Sequence, residues 1–418
     1  MQTVVSINKE DLLGSLPDPG TQDLLPNIQA VVRESRCKLV VLDDDPTGTQ
    51  TVHGIPVLTD WSIPLLIDEL QSELPAFFIL TNSRSLPPAD AQHVNTLIGE
   101  NLRTAAETTG KRIAVVSRSD STLRGHFPEE METLTRTAEQ PIDGWILCPF
   151  FQEGGRYTVG DIHYVQEADR LVPAGDTEFA KDAVFGYRSS LLPQWVEEKT
   201  SGSIRAVDTV SISIEDIRLG GPQQVKQILL NLSDRRVCIV NAADYRDLEI
   251  FVHGLLSAEA MGRVFLYRTA ASFVRVRAGL APRPPLSASE LDLSAAAGGL
   301  IIAGSHVPKT TRQLDLLLQA ETGLACEEID VQKLLDESGH HAICEKIAGR
   351  IARSLATGKD ALVYTSRRYL AVSSLEASLH VGRTISSALA LIIRLLRVRP
   401  RYLLAKGGIT ASDIATDG

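Results

Sequence analysis

Apolar and polar positions along the chain alternate between two rhythms. Short apolar runs end in turn-forming residues, and between them lie longer stretches with apolar residues recurring at i, i+3 and i+4. The runs KLVVLD (38–43), AFFILT (76–81), RIAVVS (112–117) and GWILCPF (144–150) read as strands. IPLLIDELQSEL, ADAQHVNTLIGENLRTAAETT and the segment beginning FPEEMETLTRTA read as amphipathic helices. Strand and helix alternating at this length predict βαβ units and a largely parallel sheet. Such sheets gather ligands beyond the carboxyl ends of their strands, and the polar clusters of this chain follow predicted strands.

The series resumes with RVCIVNAAD (236–244), a helix near 245–261 and RVFLYRTAAS (263–272). The stretch 278–299 is rich in Pro, Ala and Ser, has weak periodicity, and reads as a connection between domains. Beyond it, GLIIAGS (299–305), LACEEID (324–330), ALVYTS (361–366) and RYLLAKGG (401–408) alternate with helical patterns near 309–321, 341–356 and 382–397. The expected fold is α/β with two domains, each a largely parallel sheet flanked by helices. Their expected bounds are 1–277 and 299–418, joined by a linker at 278–298, with the active site in the cleft between them.

Composition narrows the function classes. A chain of 418 residues is long for one core, which supports two domains. A formal net charge of −10, without a long Lys/Arg run, argues against nucleic acid or an anionic membrane as partner. An anionic substrate would therefore need a local pocket of arginines. The five cysteines are scattered and never in CxxC spacing, so they read as packing residues. There is no basic segment leading into an apolar one at the start, and no apolar window long enough to span a bilayer, so the expected location is the cytoplasm.

Four polar clusters carry candidate chemistry in the first half. Asp43-Asp44-Asp45-Pro46-Thr47-Gly48 follows the first strand; three adjacent carboxylates repel one another, so a purely structural turn would not favour them. One could accept a substrate proton and another could reach Mg²⁺ through water. Thr81-Asn82-Ser83-Arg84-Ser85, the run from Ser117 to His126 and the run from Gly154 to His163 each offer an arginine fork beside hydroxyls, which suits a small hydroxy acid. Singly, each also fits an ordinary surface loop; their repetition after successive strands favours a site. In the second half, Gly304-Ser305-His306, Thr365-Ser366 and the run from Lys406 to Ser412 place glycines and hydroxyls where backbone N–H groups could approach phosphates. Neither GxxxxGK[ST] nor a strand-linked GxGxxG is present, which disfavours a P-loop NTPase and a dinucleotide dehydrogenase. No Cys/His cluster has metal-site spacing, so no metal-ligating residue is assigned.

DDPTG, TNSRS, SRSDSTLRGHF, GGRYTVGDIHYV, GSHVPKTTRQ and KGGITASD occur in one order from about residue 39 to the end. Together they resemble the four-carbon acid sugar kinases, over most of the chain. The resemblance implies a sugar-binding N-terminal domain, a nucleotide-binding C-terminal domain, and ATP-dependent phosphorylation of a threonate, erythronate or 3-oxo-tetronate type acid, with ATP and Mg²⁺ as cofactors. It implies Asp44 and Asp45 as the catalytic acids. Arg84, Asp120, Ser121, Arg124, Gly125, Arg156 and Thr158 match the substrate side, and Ser272, Gly304, Ser305, Ser366, Gly407, Gly408 and Thr410 the nucleotide side. The implied partners are a small sugar acid and ATP, with homo-oligomer formation left open. Relatives continue past the GGIT-like motif through another strand and a glycine-containing segment. The expectation at this point is either a shortened chain or a reduced ATP site.

Two other readings remain open from the residues. The acidic run also satisfies DxDx[TV], which resembles the nucleophile motif of haloacid dehalogenase-type phosphatases and would make Asp43 the nucleophile and Asp45 the acid. A non-catalytic sugar-acid-binding protein would keep the three arginines without turnover.

Overall fold

A computed structural model of the chain describes residues 5–291, 293–305, 308–320, 323–335, 340–367 and 375–418. The chain divides into two compact units, Met1–Arg283 and Pro284–Gly418.

The first unit is built on an eight-stranded sheet, parallel throughout. Its spatial order is Val210–Ile212, Arg236–Val240, Gly144–Cys148, Phe265–Thr269, Ile113–Arg118, Lys38–Asp43, Ala76–Leu80, Val57–Leu58. All six residues of Lys38–Asp43 are buried, as expected of a strand covered on both faces. Successive side chains point to opposite faces, so Val41 joins one core with Ile28, Phe78 and Phe251, while Val40 joins another with Leu66, Phe77 and Trp195. Helices Leu25–Ser35 and Tyr245–Glu259 cover the first face; Ile63–Gln71, Pro88–Thr109 and Glu129–Thr137 cover the second.

The winding fixes where a ligand can sit. From Lys38–Asp43 the chain moves to the strands at 57–58 and 76–80 on one side, then crosses back to Ile113–Arg118 on the other. A reversal of this kind parts the connecting segments above two neighbouring strands and leaves a crevice at their carboxyl ends. Here those ends are Asp43 and Arg118, which are paired in register.

The stretch from Arg156 is a hairpin in an antiparallel sheet of its own, ordered Ile7–Asn8, Arg170–Pro173, Ile162–Glu167, Arg156–Val159. Gly160 (φ 58°) and Asp161 (φ 61°) are both left-handed, the conformation a two-residue hairpin turn requires.

The second unit holds a four-stranded parallel sheet, ordered Ala325–Ile329, Ala361–Thr365, Leu300–Ala303, Leu403–Lys406. Its core joins Leu300 and Ile302 to Ile347 and Ile351 of helix His340–Ala356 and to Leu389 and Ile392 of helix Leu375–Leu395. The winding reverses again, this time between Leu300–Ala303 and Leu403–Lys406. Between the two sheets, Ala278 is still buried on the first core and Gln29 Nε2 donates to the Gly279 carbonyl at 3.0 Å. Among the described residues, no helix is long and apolar enough to cross a membrane.

Phe78 is fully buried in a central strand. Phe78→Ala is expected to destabilise the first unit by about 3–5 kcal/mol, through lost burial and a residual cavity. Urea denaturation followed by circular dichroism measures this.

Candidate active site

The acidic turn is assembled by the sheet beneath it. At the end of Lys38–Asp43, the Asp44 N–H donates to the Arg118 carbonyl at 3.3 Å, and the Asp44 carbonyl accepts from the Arg84 N–H at 3.2 Å. The Asp43 carbonyl accepts from the Thr81 N–H and hydroxyl, both at 2.9 Å. Three strand ends are thus tied together by backbone bonds before any side chain is counted. Gly48 closes the turn against Asp43, and a Cβ there would overlap the Asp43 carboxylate.

Each acid of the turn has a different neighbourhood. Asp43 is 1% exposed and pairs with Arg118, itself buried, at 3.1 Å. Burial raises its pKa to about 7; Arg118 opposes the rise, and Asp44 and Asp45 add to it. Asp44 is also buried and receives a two-pronged contact from Arg84, Nη2 to Oδ1 at 2.6 Å and Nε to Oδ2 at 3.1 Å. Burial pushes Asp44 upward as well, with Arg84 pulling the other way. Asp45 keeps 22% of its side chain exposed; Arg84 Nη1 reaches it at 3.3 Å, and the Thr47 N–H donates to it at 2.9 Å. It is the most exposed acid of the three.

Beside this turn stands a cluster of arginines around Asp120. Arg124 Nε donates to Asp120 at 2.7 Å, Arg84 approaches it at 4.0 Å, and the Thr122 hydroxyl donates to it. Burial alone would raise Asp120, but Arg84, Arg124 and these hydrogen bonds outweigh it and hold the carboxyl at about 2. Asp120 is therefore a fixed negative charge. Arg124 and Arg156 both lie over the Phe179 ring, at 5.2 and 5.5 Å from its centroid. Arg124 also meets Asp182 at 3.6 Å. Among the described residues Arg156 has no carboxylate in ion-pair contact; it donates to the Gly154 carbonyl, and its buried Nε has no hydrogen-bond partner there. Burial lowers its pKa.

Deeper residues hold this surface in shape. The Ser121 carbonyl accepts from His163 Nε2 at 2.8 Å, which leaves Nδ1 to accept the Thr158 hydroxyl at 3.0 Å. Burial depresses the His163 pKa to about 4, so the ring is neutral and this tautomer is fixed. Thr158 is fully buried and supports the Ser121 loop through His163 rather than facing the crevice. Gly125 (φ 122°) sits where a Cβ would come within 2.8 Å of Arg268 Nη2 and 2.9 Å of Asp44 Oδ2. Arg268 pairs with buried Glu130, which also accepts from Ser83 Oγ at 2.6 Å and Ser117 Oγ at 3.2 Å. Sequence reasoning assigned no role to Arg118, Glu130, His163 or Arg268. Arg118 and His163 lay within motifs already singled out, whereas Arg268 had no local signal.

Ser272 belongs to the first unit rather than to the second, where the other nucleotide-side residues lie. It is fully buried, and its hydroxyl contacts Tyr245 Oη at 2.9 Å and Glu153 at 3.3 Å.

The remaining predicted residues converge in the second unit. Gly304 and Ser305 follow Leu300–Ala303; Gly407 and Gly408 follow the adjacent Leu403–Lys406, and Ala303 and Lys406 are partners in register. Gly407 (φ 118°) caps the ten-residue helix Gly408–Asp417. A Cβ on Gly304 would lie 2.6 Å from Thr410 Oγ1, so the two turns abut. The result is a glycine-lined helix N-terminus at the reversal point of a parallel sheet, an arrangement that suits phosphate. Arg367, overlooked in the sequence, donates to the Ser305 carbonyl at 2.6 Å and to Thr365 Oγ1 at 2.9 Å. Ser366 Oγ accepts from the Val331 N–H at 3.2 Å, one strand further out. His306 lies outside the described residues.

Comparison with known proteins decides the family. Residues 39–277 match the model of a sugar-binding N-terminal domain, and residues 300–418 match that of a nucleotide-binding C-terminal domain. The chain belongs to the four-carbon acid sugar kinase family. In this family's terms, the acidic turn and the arginine cluster lie in the sugar-binding domain, and the paired glycine turns in the nucleotide-binding domain. The fold is similar to that of a Salmonella typhimurium LT2 protein bearing a provisional tRNA synthase name, with TM-score 0.61 and 15% identity over 91% of this chain and 88% of that one. It is similar also to a Haemophilus influenzae protein from a domain family of unknown function, with TM-score 0.57 and 15% identity over 90% and 88%. At such identity the likeness concerns the fold. No curated protein matches the sequence.

The raised pKa of Asp43 makes stability depend on pH. A carboxyl that titrates near 7 when folded and near ~3.9 when unfolded favours folding below ~3.9 and loses that contribution as pH rises through about 7. Relative to the parent, Asp43→Asn should therefore gain stability between about pH 4 and pH 7 and level off above. Urea midpoints across this range provide the measurement, and a difference independent of pH would contradict the assignment.

Proposed function

We propose that this chain is an ATP-dependent kinase that phosphorylates a hydroxyl of a small sugar acid, of the threonate, erythronate or 3-oxo-tetronate class. The observation that carries the reading is Arg156. It is a partly buried guanidinium with no carboxylate in ion-pair contact among the described residues, in the field of the fixed negative charge of Asp120. A bound carboxylate would satisfy the guanidinium in two-pronged fashion, with Arg124 alongside. Asp120 and the Ser121 loop would then receive the hydroxyls.

Asp45 is the base in this scheme. The attacking hydroxyl oxygen forms a bond to the γ-phosphorus, the bond to the ADP oxygen breaks, and the proton passes to Asp45. Asp44 is held by Arg84 and acts by fixing that guanidinium near the reacting oxygen. Phosphoryl transfer depends mainly on positioning and charge stabilisation, and a rigid array of arginines supplies both. The glycine turns at 304–305 and 407–408 offer backbone donors for nucleotide phosphates, with Thr410 beside them. Among the described residues, no group of three or more His, Cys, Asp or Glu side chains is arranged to hold a metal. A magnesium ion bound with ATP would supply neutralisation of the phosphate charge.

The phosphatase reading needs Asp43 as an exposed nucleophile. Its 1% exposure and its pairing with Arg118 speak against that role.

The test is ADP release from ATP and Mg²⁺ over a panel of four-carbon sugar acids. Turnover that depends on one acid supports the proposal; acid binding without turnover would favour a binding protein instead. Asp45→Asn should lower kcat by roughly two to four orders of magnitude, the range for losing acid–base assistance. Arg156→Gln should instead raise KM for the acid by about tenfold or more with a smaller change in kcat, since it removes a charge-assisted contact.

A further inference from the structure

The sheet of the first unit is split at the end opposite the candidate active site. Ile113–Arg118 and Phe265–Thr269 are neighbours, yet their ladder begins only at Tyr267↔Val116. Each is bonded from its first residue to the strand on its other side, with pairs Lys38↔Ile113 and Phe265↔Gly144. Bonds on both flanks hold the split open. The Lys38 N–H donates to the Arg112 carbonyl at 2.9 Å; across the gap, Asp143 accepts from the Val264 N–H and from Arg263 Nη1, both at 2.8 Å.

A cavity of about 400 Å³ occupies this gap. It explains why Val115 is only partly buried although it lies in a central strand, where Val40 and Val41 are fully buried. Leu102 and Leu134 wall the cavity from the helices on one face, and Val31 and Leu256 from those on the other. The space is therefore a slot in the plane of the sheet, apolar on both sides, and of a size that takes a small molecule.

The mouth is polar. Arg112 and Arg263 stand at the feet of the two parted strands, and Arg103 joins them from helix Pro88–Thr109. Glu259 also lines the slot, but it is occupied by Arg277 at 2.6 Å and by the Tyr267 hydroxyl. Glu34, at the end of helix Leu25–Ser35, and Glu139, just beyond helix Glu129–Thr137, are both exposed. Arg263 is paired with Asp143, whereas among the described residues the Arg112 guanidinium makes one hydrogen bond, to the Ser35 carbonyl at 3.2 Å. A guanidinium carries five N–H donors, so the unused hydrogen-bonding capacity at the foot of the slot is donor capacity.

We propose that this slot is a second small-molecule site, which takes a flat aromatic body carrying one anionic group held at Arg112. It lies at the amino ends of the strands whose carboxyl ends carry Asp43, Arg118 and Thr269. The proposal does not rest on the kinase reading.

The probe is 8-anilinonaphthalene-1-sulfonate, which is flat, aromatic and singly anionic, titrated against the full native chain and followed by fluorescence. Saturable binding at one site per chain is expected. Ala260→Trp and Ala138→Trp each place a large ring in the slot from the end of a helix, and should abolish binding while circular dichroism stays unchanged. Arg112→Gln should weaken binding by about tenfold, the loss of one charge-assisted contact. Arg156→Gln, at the other end of the sheet, should leave it unaltered. Absence of saturable binding, binding that survives both tryptophans, or loss in Arg156→Gln would overturn the site. Indifference to Arg112→Gln would overturn the anionic part of the proposal.

Discussion

Two consecutive carboxylates, Asp43 and Asp44, are buried at the end of a central strand, and this is the constraint around which the first unit is arranged. Carboxylates removed from water need neutralising partners. Arg118 comes from the adjacent strand and Arg84 from the turn after the next one, so three chain segments must register correctly before the charges balance. Arg84 in turn reaches Asp45 and Asp120, which carries the network into the crevice. Replacing one partner would leave a buried charge uncompensated, so the cluster stands or falls as a unit.

Around this network the protein separates rigid and accessible groups. Asp43, Asp44, Arg118, Glu130 and Arg268 are nearly inaccessible, while Asp45, Arg124 and Arg156 retain some contact with solvent. The inaccessible set holds its neighbours in place, and the accessible set is the part a ligand could reach. His163 follows the same logic: a neutral ring between the Ser121 carbonyl and the Thr158 hydroxyl sets a loop without adding charge. The second unit achieves its preorganisation differently, with glycines and a helix terminus in place of ion pairs. In both units the chosen place is where the winding of a parallel sheet reverses.

Much of this was legible in the sequence, for identifiable reasons. The strand at 38–43 and its neighbours are continuous apolar runs ending in polar turns, a pattern that local chemistry alone produces. The acidic turn, Arg84, Asp120 and Arg124 stood out because like charges and arginine forks are unusual directly after such runs. The pairing of Arg268 with Glu130 was not legible, since those residues lie far apart in the chain and neither sits in a distinctive local pattern. The family resemblance implies Thr158 on the substrate side, yet the structure buries it fully. The alternation of residues 156–165, with Gly160-Asp161 at its centre, is a hairpin signal, and it turns Thr158 inward. The split between the strands at 113–118 and 265–269 left no trace either, because both strands have ordinary apolar sequences.

Gly48 has a consequence for how the sequence can drift. Its missing side chain leaves the space that the Asp43 carboxylate fills, so the fate of any change at residue 48 depends on what occupies residue 43. A larger residue at 48 needs the Asp43 carboxylate to move or shrink, and shrinking 43 removes the nearer of the two carboxylates on Arg118, leaving Asp44 at 3.8 Å. The two positions are therefore epistatic, and relatives that vary one of them should be found to vary the other.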